Sequence, residues 1–296
     1  MELRVLRYFL TLAREENISK AAEALYITQP TLSRQLAELE KELGAQLFIR
    51  GKRGITLTEE GMLLRRRAEE MAELEDKVQR EFRERGEILS GNIAIGAAET
   101  NAAAILPDAI AKFRNKYPGV TFDMQTDTAE HVKERIDRGL LDIGLLVEPG
   151  DIEKYEFMRL GIGDRCGVLM NADSPLAQKE YVTADDLAGL PVVANRRAEV
   201  QSFYRNALGE AYNKLNVIAT FNLINNAALF ALKNLGYVIT LEGTVRHYEN
   251  PRLCFRPFRP EIQQSTFIIW KKYQPTTRAV RKFIEEISML LPHDEV

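Results

Sequence analysis

Residues 19–58 carry the pattern that most constrains what this chain can fold into. The pattern predicts two short helices joined by a tight turn at Tyr26-Ile27, followed by two strands. Ser19 can cap the first helix and Thr28 the second, because a hydroxyl accepts a hydrogen bond from a free N–H of the first turn. Pro30 falls in the first turn of the second helix, where no backbone donor is lost. The arrangement is typical of a helix-turn-helix.

The second helix of this motif is predicted to have an apolar face and a polar face. The apolar set is Leu32, Leu36, Leu39 and Leu43, and the opposite set is Pro30, Ser33, Arg34, Ala37 and Lys41. Such a polar face suits the major groove of DNA, where Gln29 and Arg34 can read base edges while Ser33 and the helix N-terminus hold phosphates. An ordinary amphipathic helical hairpin with solvated polar residues explains this face equally well.

A basic hairpin is predicted directly after the two helices. Residues 47–50 and 55–57 read as strands, and the basic turn 51–54 joins them. A hairpin of this kind can lie along the phosphate backbone or in the minor groove. Its cations can also serve only to keep an exposed turn soluble, but its place after a helix-turn-helix favours a wing that contacts DNA. The candidate DNA-binding residues are therefore Ser19, Thr28, Gln29, Pro30, Thr31, Ser33, Arg34, Arg50, Lys52 and Arg53.

A longer set of positions resembles the N-terminal signature of LysR-type transcriptional regulators. These positions are Phe9, Ala21-Ala22, Leu25, Gln29-Pro30, Ser33, Leu39-Glu40, Leu43-Gly44, Leu47-Phe48, Arg50, Leu57-Thr58 and Gly61. The usual serine before the Gln-Pro pair is Thr28 here, which keeps the hydroxyl. Beyond residue 61 the resemblance lies in element order, length and scattered positions. It implies a sequence-specific DNA-binding transcription regulator that a small-molecule effector controls.

The rest of the chain is predicted to form a larger domain. From Asn92 onward, strands alternate with helices, which predicts crossovers into a parallel sheet. The predicted fold class is α/β with an all-α-type winged helix-turn-helix N-terminal domain, a long linker helix and, as the resemblance implies, a two-lobed periplasmic-binding-protein-like α/β effector domain. The expected boundaries are 1–58 for the winged helix-turn-helix, 59–89 for the linker helix and 90–296 for the effector-binding domain, with lobe I about 92–161 and 266–296 and lobe II about 162–265.

The linker helix carries an apolar seam. Six positions fall on alternating steps of four and three residues, with Glu75 and Arg85 as exceptions: Leu64, Ala68, Met71, Val78, Phe82 and Leu89. A seam of this period fits the pairing of two such helices, although packing against its own domain is an alternative. The family resemblance also implies dimers, commonly tetramers. The candidate dimerisation residues are Leu64, Met71, Val78 and Phe82.

Polar residues follow several predicted strands of the larger domain. In a parallel sheet the segments after the carboxyl ends of strands face the same cleft, and helix N-termini there offer free donors. The candidate effector-binding residues are Thr100, Asn101, Thr128, Asn195, Arg196 and Asn222. Each of them can instead be a helix cap or a turn residue. The set suits a small polar effector, such as a carboxylate or an amino acid, although Glu99 and Glu148 at the same rim weigh against a purely anionic one.

Composition narrows the remaining alternatives. The chain has a net charge of −3, and residues 1–58, with nine Lys/Arg and seven Asp/Glu, are only mildly basic, so the motif rather than the charge indicates DNA. Two cysteines and three scattered histidines predict neither a disulfide scaffold nor a metal site. We expect no catalytic residues and no cofactor, no membrane association, a cytoplasmic location, and promoter DNA and RNA polymerase as partners. The alternative is a small-molecule-binding protein or an enzyme with an accessory helix-turn-helix module.

Overall fold

The computed structural model describes residues 1–51, 54–83, 89–148, 152–246, 250–273 and 276–291, with side chains from 80 to 83 excluded. The chain divides into two compact units, Met1–Arg85 and Gly86–Val296. Within the described residues, every helix is too short or too polar to cross a bilayer.

The first unit combines helices with one short hairpin. Its elements are α1 (Leu3–Glu15), α2 (Ile18–Ala24), α3 (Gln29–Leu43), β1 (Phe48–Gly51), β2 (Gly54–Leu57) and α4 (Glu59–Arg83). The strands β1 and β2 pair antiparallel, with Phe48 opposite Leu57 and Arg50 opposite Ile55. Gly61 in α4 lies so close to the chain before β1 that an added Cβ would stand 1.9 Å from the carbonyl oxygen of Leu47.

The helix caps are partly those that the sequence predicts. Thr28 caps α3, since its hydroxyl accepts a hydrogen bond from the N–H of Thr31. Ser19 does not cap α2, because the side chain of Asn17 accepts from the N–H groups of both Ser19 and Lys20. The prediction for Ser19 was therefore wrong by two positions: an Asx side chain upstream takes the same donors.

The core of this unit lies between the first three helices and the start of α4. Leu32, Leu36 and Leu39 are buried in it, as the apolar face of α3 predicts. Leu43 is 40% exposed instead, since α3 ends there and Gly44 turns the chain away with a φ of 66°.

Part of the predicted apolar seam on α4 packs against the other helices of the first unit. Leu64 and Ala68 pack against the core of the first three helices, and Arg7 of α1 forms ion pairs with Glu75 and Asp76. Leu64 is thus partly buried against its own unit, which is the alternative packing considered for the seam, and its place between two chains stays a prediction. The side chain of Phe82 lies outside the described residues.

A different apolar stripe on α4 is open to solvent. Met71 is 38% exposed, Leu74 42% and Val78 44%. Their spacing of three and four residues places them on one face. Two of the predicted seam residues, Met71 and Val78, therefore lie on this stripe. The third residue of the stripe is Leu74, whereas the alternating steps of the predicted seam pass through Glu75.

The second unit contains two α/β lobes, and the chain enters the second lobe and then returns to the first. Lobe I begins with β3 (Ser90–Ala97), α5 (Ile105–Lys116), β4 (Gly119–Thr126), α6 (Ala129–Asp137), β5 (Ile143–Val147) and β6 (Tyr155–Arg159). Lobe II contains β7 (Asp164–Asn171), β8 (Pro191–Asn195), α7 (Ala198–Leu208), β9 (Asn216–Phe221), α8 (Ile224–Leu232), β10 (Tyr237–Leu241), α9 (Glu242–Val245), β11 (Leu253–Pro257) and β12 (Gln263–Gln264). The return to lobe I adds β13 (Thr266–Lys271) and α10 (Arg278–Ser288).

Each lobe has a sheet in which three neighbouring strands are parallel. The order is β4-β3-β5-β13-β6 in lobe I and β11-β7-β10-β8-β9 in lobe II. In lobe I the pairs of β3 with β4 and β5 are parallel, and in lobe II the pairs of β8 with β9 and β10 are parallel. Apolar clusters cover both faces of each sheet. The sequence missed the strands β6, β11 and the two-residue β12. Most residues of β6 and all of β11 are exposed or only partly buried, and β12 has no apolar residue.

Candidate DNA interface and effector cavity

The outward face of α3 gathers several of the predicted DNA-binding residues. Gln29 is the first residue of α3, and its amide oxygen accepts a hydrogen bond from the hydroxyl of Ser19, 3.2 Å away. The guanidinium of Arg34 lies one turn further along, with 72% of its side chain exposed, and its nearest carboxylate is Glu38 at 4.0 Å. The first two turns of α3 therefore present amide, hydroxyl and guanidinium groups to solvent, while the leucines of the helix are buried on the opposite side.

The remaining DNA-binding candidates divide between this face and the hairpin. Thr28, Pro30 and Thr31 are exposed at the start of α3, and Ser33 is partly buried. Arg50 is exposed on β1. Lys52 and Arg53 lie outside the described residues.

A cavity lies between the two lobes of the second unit. Its volume, taken as the space open to a water-sized molecule, is about 90 Å³. Thr128, Asn195 and Asn222 line it, and each lies at or just after the carboxyl end of a strand, as the sequence predicts. Thr100, Asn101 and Arg196 do not belong to the described lining.

Thr100 and Asn101 join the lobes instead of lining the cavity. The carboxylate of Asp164, which is 1% exposed, accepts hydrogen bonds from the Thr100 hydroxyl at 2.9 Å and from the Asn101 N–H at 2.7 Å. It also accepts from the Gly243 N–H at 2.8 Å. The side-chain oxygen of Asn101 accepts from Arg246 at 3.1 Å. Thr100 and Asn101 therefore bind the buried carboxylate of Asp164, which is distant in sequence, and do not belong to the described lining of the cavity.

Arg197, and not Arg196, is the arginine at the cavity. Arg196 is exposed, while the side chain of Arg197 is only 14% exposed and forms an ion pair with Glu130 of α6 at 2.5 Å. That pair connects lobe II to lobe I. The sequence prediction missed by one residue, because successive side chains after a strand point to different sides.

Three carboxylates also line the cavity. Glu99 accepts a hydrogen bond from the N–H of Ile224, 2.9 Å away, and burial raises its pKa above the ordinary value while that hydrogen bond offsets part of the rise. Asp127 accepts from the Thr128 N–H and contacts His131 at 3.0 Å. Glu148 pairs with Arg159 at 3.3 Å.

Several lining residues escaped the sequence analysis. Thr240 and Thr244, whose hydroxyls lie 2.9 Å apart, come from the end of β10 and from α9. The carboxyl-end rule that identified Asn195 also applies to β10 and could have found Thr240. Gln264 comes from β12, just before the chain returns to lobe I, and no local pattern marks it.

Comparison with known proteins gives matches over both units. A model described as "Bacterial regulatory helix-turn-helix protein, lysR family" matches residues 3–62, and one described as "LysR substrate binding domain" matches residues 86–291. The chain is 28% identical over 297 residues to the Hca operon transcriptional activator HcaR of Escherichia coli K12, covering 96% of each chain. It is 29% identical over 274 residues to the uncharacterized regulator YybE of Bacillus subtilis 168, covering 92% of this chain and 93% of that one. Among solved structures, CbnR, a LysR family transcriptional regulator, is similar with a TM-score of 0.76 at 19% identity, covering 98% of this chain and 99% of CbnR.

Proposed function

Because this chain belongs to the LysR family of DNA-binding transcription regulators with an effector-binding domain, we propose that it reads promoter DNA with α3 and the β1–β2 hairpin and responds to a small molecule bound between its lobes. We assign residues 1–58 to DNA binding, 59–89 to linkage and pairing, and 90–296 to effector binding. Binding alone performs this role, without a chemical step on the effector. The proposed location is the cytoplasm, where the protein can bind promoter DNA and contact RNA polymerase.

The observation that carries this proposal is the amphipathic character of α3. Its leucines are buried in the first unit, while Gln29 and Arg34 stand on the exposed side near its N-terminus. Short polar side chains and one long cation at the start of a supported helix are the groups that read base edges in the major groove. The proposed contacts to the DNA backbone around this face come from Ser19, Thr28, Pro30, Thr31 and Ser33. The hairpin residues Arg50, Lys52 and Arg53 would add further contacts. The related CbnR has been crystallised with its target DNA.

The interlobe cavity supports control by an effector. Thr128 comes from lobe I, and Asn195 and Asn222 come from lobe II, so one ligand can contact both lobes. The Arg197–Glu130 ion pair and the hydrogen bond from Ile224 to Glu99 already span the same cleft. A ligand that favours one angle between the lobes would shift the population of that arrangement and with it the spacing of the DNA-reading helices in an oligomer.

The exposed stripe on α4 supports pairing of two chains. We expect Met71→Glu combined with Val78→Glu to weaken self-association at least about a hundredfold, because a carboxylate buried without a partner is strongly unfavourable. Sedimentation velocity of the full chain across protein concentration measures this effect. The exposed Gln79→Glu variant, one residue beyond the stripe, is the matched control and should stay associated. An unchanged dimer in the double variant would remove this stripe from the interface.

The proposed function is tested by retardation of the DNA fragment upstream of the coding region. We expect selective retention relative to a shuffled fragment of the same composition, with an affinity that falls steeply as salt rises, because each neutralised phosphate releases a counterion. A small-molecule-binding protein or an enzyme with an accessory module would give no selective retention. Equal binding to both fragments would contradict sequence-specific regulation.

A further inference from the structure

The charged groups that line the interlobe cavity do not balance. Glu99, Asp127 and Glu148 contribute three carboxylates, and Arg197 contributes the single guanidinium of the described lining. That guanidinium already pairs with Glu130 at 2.5 Å. The described lining is therefore acidic, and its cation is engaged by another carboxylate.

The three carboxylates differ in how they are compensated. Asp127 contacts His131 and Glu148 contacts Arg159, at 3.0 and 3.3 Å. Glu99 has no cationic partner among the described residues, and its one hydrogen bond there comes from the Ile224 N–H. Glu99 is thus the carboxylate in this cavity that still lacks a counter-charge.

Glu99 also occupies the place where an anionic ligand would otherwise bind. Ile224 is the first residue of α8, and Leu223, the residue before it, gives that helix no side-chain cap. The free N–H groups and the dipole at a helix N-terminus favour an anion. The carboxylate of Glu99 fills that role from within the chain, so a ligand carboxylate brought to the same N-terminus would meet a like charge.

One residue of the cavity lining carries a buried donor that lacks an acceptor. The side-chain nitrogen Nε2 of Gln264 has no hydrogen-bond partner among the described residues, although Gln264 is only 4% exposed. A buried N–H group without a partner is costly, so a ligand that supplies an acceptor oxygen gains from this position. The cavity therefore offers one uncompensated acceptor, at Glu99, and one uncompensated donor, at Gln264.

We propose that the cavity selects a small molecule carrying a protonated amino group, bound at Glu99, together with an acceptor oxygen, bound by Gln264. This inference rests on the proposed role of the cavity as the effector site and specifies the class of that effector. Amino acids and other amines with a carbonyl, carboxylate or hydroxyl oxygen belong to the class. Dicarboxylates without an amine are rejected by Glu99.

The test compares matched ligands on the full-length protein by thermal shift and calorimetric titration. The amine probes are glycine, β-alanine, 4-aminobutanoate and lysine, and the anionic probes are succinate and glutarate. We expect at least one amine probe, and neither dicarboxylate, to stabilise the wild type. Glu99→Gln keeps an acceptor for the Ile224 N–H but removes the charge, so it should weaken that amine about tenfold or more. The exposed Glu180→Gln, outside the cavity lining, should leave the binding of that amine unchanged.

A second substitution tests the other half of the proposal. Gln264→Met removes the amide at similar length and should weaken the amino acid probes while leaving a simple alkylamine such as butylamine unaffected. Dicarboxylates that bind the wild type as well as the amines, or amine binding that Glu99→Gln leaves unchanged, would overturn the proposal. Failure of every amine probe would overturn it as well. Retention of promoter DNA, measured on the same samples, shows whether the regulator function fails too or only this account of the ligand.

Discussion

Replacing Asp164 with asparagine should lower the free energy of unfolding of the second unit by about 3 kcal/mol, since hydrogen bonds to a charged group contribute roughly 1.5–3 kcal/mol each and a buried donor left unpaired is costly. Its carboxylate accepts three hydrogen bonds, from Thr100, Asn101 and Gly243, and is 1% exposed. An asparagine amide turns one of those acceptors into a donor. At least one buried donor would then face another donor.

The packing around Asp164 leaves little room for relaxation. A Cβ added at Gly243 would stand 2.0 Å from the backbone nitrogen of Asn101 and 2.4 Å from a carboxylate oxygen of Asp164. The two backbone segments therefore approach each other around this one side chain. Because Thr100 belongs to lobe I and Gly243 to lobe II, the substitution should also loosen the joint between the lobes.

Urea unfolding followed by circular dichroism measures this loss. Asp173→Asn, which changes the same charge at an exposed position, is the matched control and should change stability by only a few tenths of a kcal/mol, as is usual for surface substitutions. Thr100→Val removes a single donor and should give an intermediate loss of about 1 kcal/mol. If Asp164→Asn and Asp173→Asn unfold at the same urea concentration, Asp164 does not hold the lobes together.

The combined substitution Gln29→Ala and Arg34→Ala should lower operator affinity about a hundredfold or more, because each base contact of this kind provides roughly 1–3 kcal/mol of discrimination. The helix itself should persist. Both residues are exposed, and alanine has the highest helix propensity. The loss should fall on the operator rather than on DNA in general, since the phosphate contacts proposed for Arg50 and the helix N-terminus would remain.

Fluorescence anisotropy with an operator duplex and a shuffled duplex at one salt concentration separates the two contributions. Binding to the shuffled duplex should fall much less than binding to the operator. Glu23→Gln, an exposed change on α2, is the control and should preserve the preference for the operator. Undiminished operator affinity in the double variant would show that α3 is not the reading helix.

The first unit could be predicted from the sequence because its signals are local. The apolar face of α3, the Thr28 cap and the position of Pro30 all depend on neighbours within one or two turns. The error at the cap of α2 came where two local solutions compete, because Asn17 caps the helix in place of Ser19. The partly buried Leu64 packs against its own unit, so the sequence period alone did not show which side of α4 stays exposed.

The cavity could be predicted only in part. The carboxyl-end rule of parallel sheets correctly indicated the segments that hold Thr128, Asn195 and Asn222, but not which of two adjacent arginines turns inward. Thr100 and Asn101 are bound by Asp164, more than sixty residues away, so their roles depend on tertiary structure. The same holds for Gln264, which reaches the cavity only because the chain returns from lobe II to lobe I between β12 and β13.

The reading of bases by α3 is tested most directly by selecting preferred duplexes from random DNA with the wild type and with Arg34→Ala. We expect the wild type to yield a symmetric site with two half-sites, and Arg34→Ala to lose the preference at one position in each half-site while the other positions persist. Identical base preferences from both proteins would contradict the assignment of Arg34, and selection of no preferred sequence by the wild type would contradict DNA recognition by this helix.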